Sequence, residues 1–223
     1  KMVTNISSAC DNYPFNSLKE KVLESKIDFA SLGSFILYVG AGDPRKNLHR
    51  LIQAYSMLEP NLIIKFKLVL AGKLISEEIK IIKDILKTYN IPPEYVVFLG
   101  FVSDIDLLRL YQNCYLFIFP SIHEGFGLPV LEAMTCDAAV IASNTSSIPE
   151  IIGSNNFTFN PLSVDNIHLL LNKALTNQQF YKSLKLNSNI RSSLFSWKET
   201  AEKSMVAMKK VVNQININNT KQI

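Results

Sequence analysis

Short runs of apolar residues alternate along the chain with longer segments in which apolar residues recur every three or four positions. The short runs are rich in β-branched and aromatic residues and have almost no polar positions, which is typical of strands buried on both faces of a parallel sheet. The predicted strands are residues 35–39, 66–71, 96–99, 116–120, 139–143 and, with the weakest pattern, 156–159.

Segments with helical spacing separate these runs. Ser76 and Ser103 are placed to be N-caps of two of them. The alternation of strand and helix predicts an α/β fold, a Rossmann-like three-layer domain with a mostly parallel six-stranded sheet over residues 35–212. The predicted helices begin near Asn47, Ser76, Ser103 and Pro129, and three more cover residues 164–175, 178–190 and 197–212.

The two ends of the chain differ from this pattern. Residues 1–34 have mixed polarity and no strong period, so we expect an interdomain linker and edge segment with room for one strand and a short helix. Residues 213–223 are polar and predict a disordered tail. Because Lys1 precedes Met2, we expect the chain to be part of a longer protein.

The composition of the chain argues against several classes of function. A chain of 223 residues with 48% hydrophobic residues can bury a sizeable core, and a net charge of +4 without a basic stripe argues against nucleic acid as a partner. Cys10, Cys114 and Cys136 form no close pair and have no histidine at metal-ligand spacing. We therefore expect neither a disulfide framework nor a zinc site, and a cytoplasmic location.

The sharpest motif is PSIHEGFGLPVLEAM at residues 120–134, which follows a predicted strand and enters a helix at Pro129. Gly125 and Gly127 permit positive φ and close backbone approach, so free N–H groups and the positive helix end can face a phosphate. Glu124 and Glu132 flank this loop, and their carboxylates can accept hydrogen bonds from the paired hydroxyls of a sugar or ribose.

Several spaced motifs carry a family resemblance. The element HEGFGLPVLEAM, preceded by FIFPS and followed by VIASNTSSIPEIIG, resembles the C-terminal domain of the GT-B glycosyltransferases of family four, the group 1 enzymes. FILYVG, DPRKN, KLVLAG, VVFLGFVSD, LLRLYQNC and FSWKETA occur in the order that the family shows, so the resemblance spans residues 35–208. It implies one Rossmann-like half of a GT-B fold.

The resemblance also implies roles for the residues of the central loop. Glu124 would bind the hydroxyls of the transferred sugar, and Glu132 the ribose of the nucleotide. The backbone amides of Phe126, Gly127 and Leu128 would face the sugar and the β-phosphate. The alternative is that Glu132 is a solvated helix residue and Glu124 a cap.

Further roles follow for residues outside that loop. Arg45 and Lys46 would hold the diphosphate and stabilise its departure, with a solvated loop as the alternative. The base would rest against residues 100–104, at the backbone of Val102 and the side chain of Asp104, which alternatively only favours its helix N-terminus. With two cations and a helix end to neutralise the leaving group, no metal or other cofactor is expected.

The implied activity is that of a retaining, metal-independent glycosyltransferase of polysaccharide biosynthesis. The donor would be a nucleotide-sugar, GDP-mannose first because the DPRKN and HEGFGLP forms resemble bacterial polysaccharide mannosyltransferases, with UDP-sugars open. The acceptor, a glycan or lipid-linked molecule, would be held by an N-terminal domain that the chain lacks, so the chain alone would be inactive. The full-length enzyme could associate peripherally with the inner face of the cell membrane.

Two other functions are compatible with parts of the sequence, and two positions depart from the family pattern. A non-catalytic nucleotide-sugar-binding module is the main alternative, whereas a nicotinamide-binding domain is disfavoured because no G-x-G-x-x-G follows the first strand. Ala41 stands where the family often has arginine. Asp137 stands where a left-handed glycine is usual, and aspartate tolerates that conformation better than most residues.

Overall fold

A single six-stranded parallel sheet organises the protein. The computed structural model describes residues 7–10 and 25–220. The strand order is β3-β2-β1-β4-β5-β6, and every neighbouring pair is parallel, as predicted. The observed bounds lie within two residues of those predicted: β1 Phe35–Val39, β2 Lys67–Ala71, β3 Val96–Gly100, β4 Leu116–Phe119, β5 Val140–Ser143 and β6 Thr158–Phe159.

Within residues 7–10 and 25–220, ten α-helices connect or flank the strands. Three short 3₁₀ turns accompany them, at Pro44–Lys46, Pro93–Tyr95 and Asn155–Phe157. The helices are α1 Phe29–Leu32, α2 Leu48–Ser56, α3 Pro60–Lys65, α4 Ser76–Thr88, α5 Asp104–Asn113, α6 Leu128–Thr135, α7 Ile148–Ile152, α8 Val164–Thr176, α9 Gln178–Ser192 and α10 Trp197–Thr220.

The ends of the chain depart from the prediction where they are described. The backbone of α10 stays helical to Thr220, eight residues beyond the predicted end at Val212. Within residues 25–34 the structure has the short helix α1 and no strand. The predictions for residues 1–6, 11–24 and 221–223 lie outside the described part of the chain.

Helices cover both faces of the sheet because its strands are apolar on both faces. Side chains of alternate strand residues enter two separate cores, with Leu37 and Phe117 in one and Ile36 and Ile118 in the other. Helices α5, α6 and α7 pack on the first face, and α2, α3, α4 and α8 on the second. Helix α9 contacts α6 on one side and α8 on the other. The three-layer prediction is confirmed.

The predicted helix caps were right in one case and wrong in the other. Ser103 caps α5, its Oγ accepting from the backbone N–H of Asp106 at 3.2 Å. The prediction for Ser76 was wrong: Ile75 is the N-cap, and its N–H donates to Glu78 Oε2 at 3.0 Å. The Glu78 carboxylate reaches back from the first turn and accepts from the backbone N–H of the N-cap residue, as the glutamate of a capping box does.

The strand order fixes where the functional loops meet. Strands β1 and β4 are neighbours, with Ile36 opposite Leu116. From β1 the chain continues to β2 on one side, and from β4 it continues to β5 on the other side. In open α/β sheets this reversal opens a crevice beyond the carboxyl ends of the two strands. The loop of residues 40–47 and the loop of residues 120–127 both begin at that crevice.

Candidate functional site

Backbone contacts join the loops after β1 and β4. The N–H of Ile122 donates to the carbonyl oxygen of Arg45 at 2.7 Å, and the Ser121 hydroxyl donates to the same oxygen at 3.0 Å. Ser121 is almost fully buried, so these bonds are shielded from water. The two loops therefore act as one unit at the crevice.

An ion pair between Lys46 and Glu124 lies at the centre of this unit. Lys46 Nζ is 2.6 Å from Glu124 Oε1, although the two residues are 78 positions apart. The side chains are only 23% and 15% exposed, and the ammonium also lies 5.1 Å from the centroid of the Phe119 ring. A half-buried cation beside a carboxylate can receive an anionic group and a hydroxyl side by side.

The turn into α6 presents free backbone amides next to this pair. Gly127 is the N-cap of α6 with φ of 105°, and Pro129 lies in the first turn. Within the described residues, no protein acceptor contacts the amide nitrogens of Phe126, Gly127 or Leu128. Free N–H groups at a helix N-terminus form an anion-binding site.

The two glycines of the loop have different roles. A Cβ on Gly127 would lie 2.4 Å from Ile148 Cδ1, and its positive φ disfavours other residues. Gly125 does not adopt the positive φ that glycine permits, and a Cβ there would meet no atom within 4 Å. One left-handed residue is enough to turn the chain into the helix, and Gly125 borders open space.

Two serines after β5 form hydrogen bonds with the backbone of the loop of residues 120–127. The N–H of Glu124 donates to Ser146 Oγ at 3.0 Å, and the Ser147 hydroxyl donates to the carbonyl oxygen of Phe126 at 2.7 Å. Sequence reasoning missed both serines as site residues. The available signal was the polar run NTSS directly after a strand that neighbours β4.

Glu132 lies on α6 with a tyrosine partner that the sequence did not indicate. The Tyr111 hydroxyl donates to Glu132 Oε2 at 3.0 Å. Burial raises the pKa of the Glu132 carboxyl, the hydrogen bond from Tyr111 opposes that shift, and the charge of Asp104 adds to it. Tyr111 occupies an apolar position in the helical period of α5, so the sequence pattern did not indicate its polar contact. The structure thus joins Glu132 to Tyr111 by a hydrogen bond and places Asp104 near enough for its charge to act on Glu132.

Arg45 lies differently from its neighbour Lys46. Its guanidinium binds Asp43, with Nε 3.0 Å from Asp43 Oδ2, and its side chain is 66% exposed. Hydrogen bonds from Arg45 lower the pKa of the Asp43 carboxyl to about 2. The carbonyl of Arg45, not its charge, contacts the second loop. The structure therefore unites Lys46 with Glu124 but leaves the Arg45 side chain at the surface.

The segment predicted to meet the base extends from the end of β3. Val102 is half-buried against the core on the α5 side, whereas Asp104 is exposed at the first position of α5. Asp104 and Asp106 form an Asp-x-Asp sequence, but the Asp106 carboxylate accepts from the hydroxyls of Ser25 and Ser103. Those bonds give it a local role in shaping the start of α5.

The described residues also bear on metal binding and on membrane insertion. No group of three or more His, Cys, Asp or Glu side chains in residues 7–10 and 25–220 is placed to hold a metal ion. Among the same residues, no helix combines the length and apolar content needed to span a bilayer.

Comparison with known sequences places the chain in a family. Residues 23–191 match the family model described as glycosyl transferases group 1. Over 201 residues, the chain is 42% identical to the serotype-specific mannosyltransferase WbdA of Escherichia coli, covering 89% of the chain and 25% of that protein. It is 30% identical over 208 residues to O-antigen chain mannosyltransferase B of Escherichia coli, covering 93% of the chain and 54% of that protein.

Comparison with solved structures agrees on the fold. WaaG, a glycosyltransferase involved in lipopolysaccharide biosynthesis, superposes with a TM-score of 0.69 at 20% identity over 89% of the chain and 54% of that structure. A complex of Anabaena HepE with UDP and glucose gives 0.66 at 21% identity over 83% and 50%. The chain thus spans a quarter to about half the length of these four relatives.

Proposed function

This chain belongs to the group 1 glycosyl transferases, and from that premise we propose that it is their donor-binding domain: it holds a nucleotide-sugar whose sugar is transferred to a glycan or lipid-linked acceptor. The observation that carries this proposal is the half-buried Lys46–Glu124 ion pair beside the free amides of α6. The pair and the amides occupy the crevice where open α/β sheets bind ligands.

The diphosphate fits the positive side of this site. The Lys46 ammonium supplies a full charge, and the amides of Phe126, Gly127 and Leu128 supply donors at the positive end of a helix. Such groups stabilise the charge that develops when the diphosphate leaves. The proposal therefore includes no metal. Arg45 can add a second cation if a bound phosphate draws it away from Asp43.

The two glutamates fit the two ends of the donor. Glu124 precedes the open surface at Gly125, where a sugar can approach, so its carboxylate accepts from sugar hydroxyls. Glu132 lies one helical turn inside α6, on the side of Asp104 and the end of β3, so it accepts from the ribose. Val102 and Asp104 then border the base.

In the proposed reaction, configuration at the anomeric carbon is retained. The bond from that carbon to the β-phosphate oxygen breaks while the acceptor hydroxyl oxygen bonds to the same face. The proton of the acceptor hydroxyl passes to the leaving phosphate. Lys46 and the amides stabilise that phosphate, and Glu124 holds the sugar in reacting geometry.

GDP-mannose is the proposed donor because the relatives WbdA and O-antigen chain mannosyltransferase B are mannosyltransferases. The test is calorimetric titration of the chain with GDP, UDP, ADP and their sugar conjugates, with and without EDTA. We expect GDP and GDP-mannose to bind in both buffers, and no sugar transfer to added mannose oligosaccharides by the chain alone. Loss of binding in EDTA would contradict the metal-free site, and sustained transfer would place an acceptor site within these residues.

Substitutions of the two glutamates should affect different ligands. Glu132→Gln is expected to weaken both GDP and GDP-mannose, whereas Glu124→Gln should weaken only GDP-mannose, each by roughly 1.5–3 kcal/mol, the range for losing a charged hydrogen-bond acceptor. Calorimetry with both ligands on both variants measures this. If Glu124→Gln weakens GDP binding as much as GDP-mannose binding, the two ends of the donor have been assigned in reverse.

A further inference from the structure

Asn47 directly follows Lys46 and is almost fully buried, with 4% of its surface exposed. Its backbone is left-handed, with φ of 58° and ψ of 33°, between the 3₁₀ turn Pro44–Lys46 and α2. Asparagine is one of the few residues other than glycine that adopt this conformation readily. The position therefore limits the residue type before any side-chain contact is considered.

The carboxamide of Asn47 uses all of its hydrogen-bonding atoms. Its Nδ2 donates to the carbonyl oxygens of Pro161 at 2.7 Å and Pro120 at 3.1 Å, both in buried surroundings. Its Oδ1 accepts from Arg50 Nη1 at 2.9 Å. A buried amide with every donor and acceptor satisfied holds its neighbours firmly, because breaking any of these bonds leaves a polar group unpaired.

These bonds bracket Lys46 on its C-terminal side. Pro120 begins the loop that carries Glu124, and Pro161 lies in the connection from β6 to α8. On the N-terminal side of Lys46, the carbonyl of Arg45 is bound by the same loop. The backbone of Lys46 is thus fixed to the Glu124 loop through the residue before it and the residue after it.

We propose that Asn47 is a positioning residue of the donor site. It sets Lys46 at a position where its ammonium and the amides of α6 face the diphosphate of a donor while Glu124 stays beside the ammonium for the sugar. Asn47 is almost fully buried and its carboxamide is bound to Pro120, Pro161 and Arg50, so in this proposal it acts through its neighbour Lys46. This inference rests on the proposed function, since it concerns the phosphate end of the same site.

The test is a double-mutant cycle measured by GDP titration of the chain. Asn47→Gly keeps the left-handed backbone and removes the three hydrogen bonds. We expect Asn47→Gly to weaken GDP binding by about tenfold, which corresponds to about 1.4 kcal/mol. In the Lys46→Ala background the same substitution should change the affinity by less than about twofold, because its effect passes through Lys46. Asn47→Asp removes the two donors but keeps the acceptor for Arg50, and it should change GDP affinity as Asn47→Gly does in both backgrounds.

Asn187 offers a matched control. It lies on α9, away from the crevice, and its Nδ2 donates to the carbonyl oxygen of Ile152 at 3.1 Å. Asn187→Ala should lower Tm without changing GDP affinity. An Asn47→Gly variant that is less stable but binds GDP normally would overturn the inference alone, as would equal weakening with and without Lys46. Failure of the wild-type chain to bind GDP, UDP or ADP would overturn the proposed function and this inference with it.

Discussion

Replacing Gly72 by alanine is expected to destabilise the fold by about 3 kcal/mol, the upper part of the range for backbone strain. Gly72 follows β2 with φ of 135°, a conformation that L side chains rarely adopt. A Cβ would lie 2.0 Å from the carbonyl oxygen of Gly40. That oxygen cannot move freely, because the N–H of Gly40 is held by the carbonyl of Ala71 at 2.9 Å. Relief requires a shift of the chain that leads from β1 into the Lys46 loop.

Gly33→Ala separates conformational strain from close contact. Gly33 also has positive φ, 62°, but a Cβ there would meet no atom within 4 Å. Its φ of 62° and ψ of −145° lie in a region that side chains disfavour, so the expected cost is about 1–2 kcal/mol, from backbone strain alone. Urea denaturation of both variants measures the difference in the free energy of unfolding. Equal losses would mean that the approach of Gly72 to Gly40 does not limit the fold.

Strands β1 to β5 could be predicted from the sequence because each contains a run of apolar residues bounded by polar turns. The helices α3 and α7 were not predicted, since Pro60–Lys65 and Ile148–Ile152 are too short to show a helical period. The predicted strand at residues 156–159 shortened to two residues, because the 3₁₀ turn Asn155–Phe157 takes its first part. The left-handed conformation expected at Asp137 was confirmed, with φ of 61°.

The site could be predicted only as far as strand ends could be located. Placing Lys46 after β1 and Glu124 after β4 brings them to one edge, but their direct ion pair depends on β1 and β4 being neighbours in the sheet. The hydrogen bond from Tyr111 to Glu132 joins two helices, and no local pattern encodes it. Asn47 was not recognised because its function depends on a backbone conformation and on two carbonyls distant in sequence.

The Lys46–Glu124 ion pair also constrains how a donor enters. Before binding, the ammonium is already partnered by a carboxylate, so burying it costs less than burying an unpaired charge. An arriving phosphate can share the ammonium, which has three donors, without releasing Glu124. Glu124 keeps its second oxygen available for a sugar hydroxyl. The pair is therefore compatible with simultaneous contacts to the phosphate and to the sugar.

Lys46→Ala is accordingly expected to weaken GDP binding by about 1–3 kcal/mol, roughly 5- to 150-fold in Kd, the range for losing a charge-assisted hydrogen bond. Guanosine affinity should be nearly unchanged, because the nucleoside is proposed to contact Glu132 and the end of β3. Lys185→Ala is the matched control, since it also removes a lysine from an ion pair, with Asp137 at 2.8 Å, away from the crevice. Calorimetry with GDP and guanosine on both variants separates the cases. If Lys46→Ala weakens the two ligands equally, or if Lys185→Ala has the same effect, Lys46 acts on the fold and not on the diphosphate.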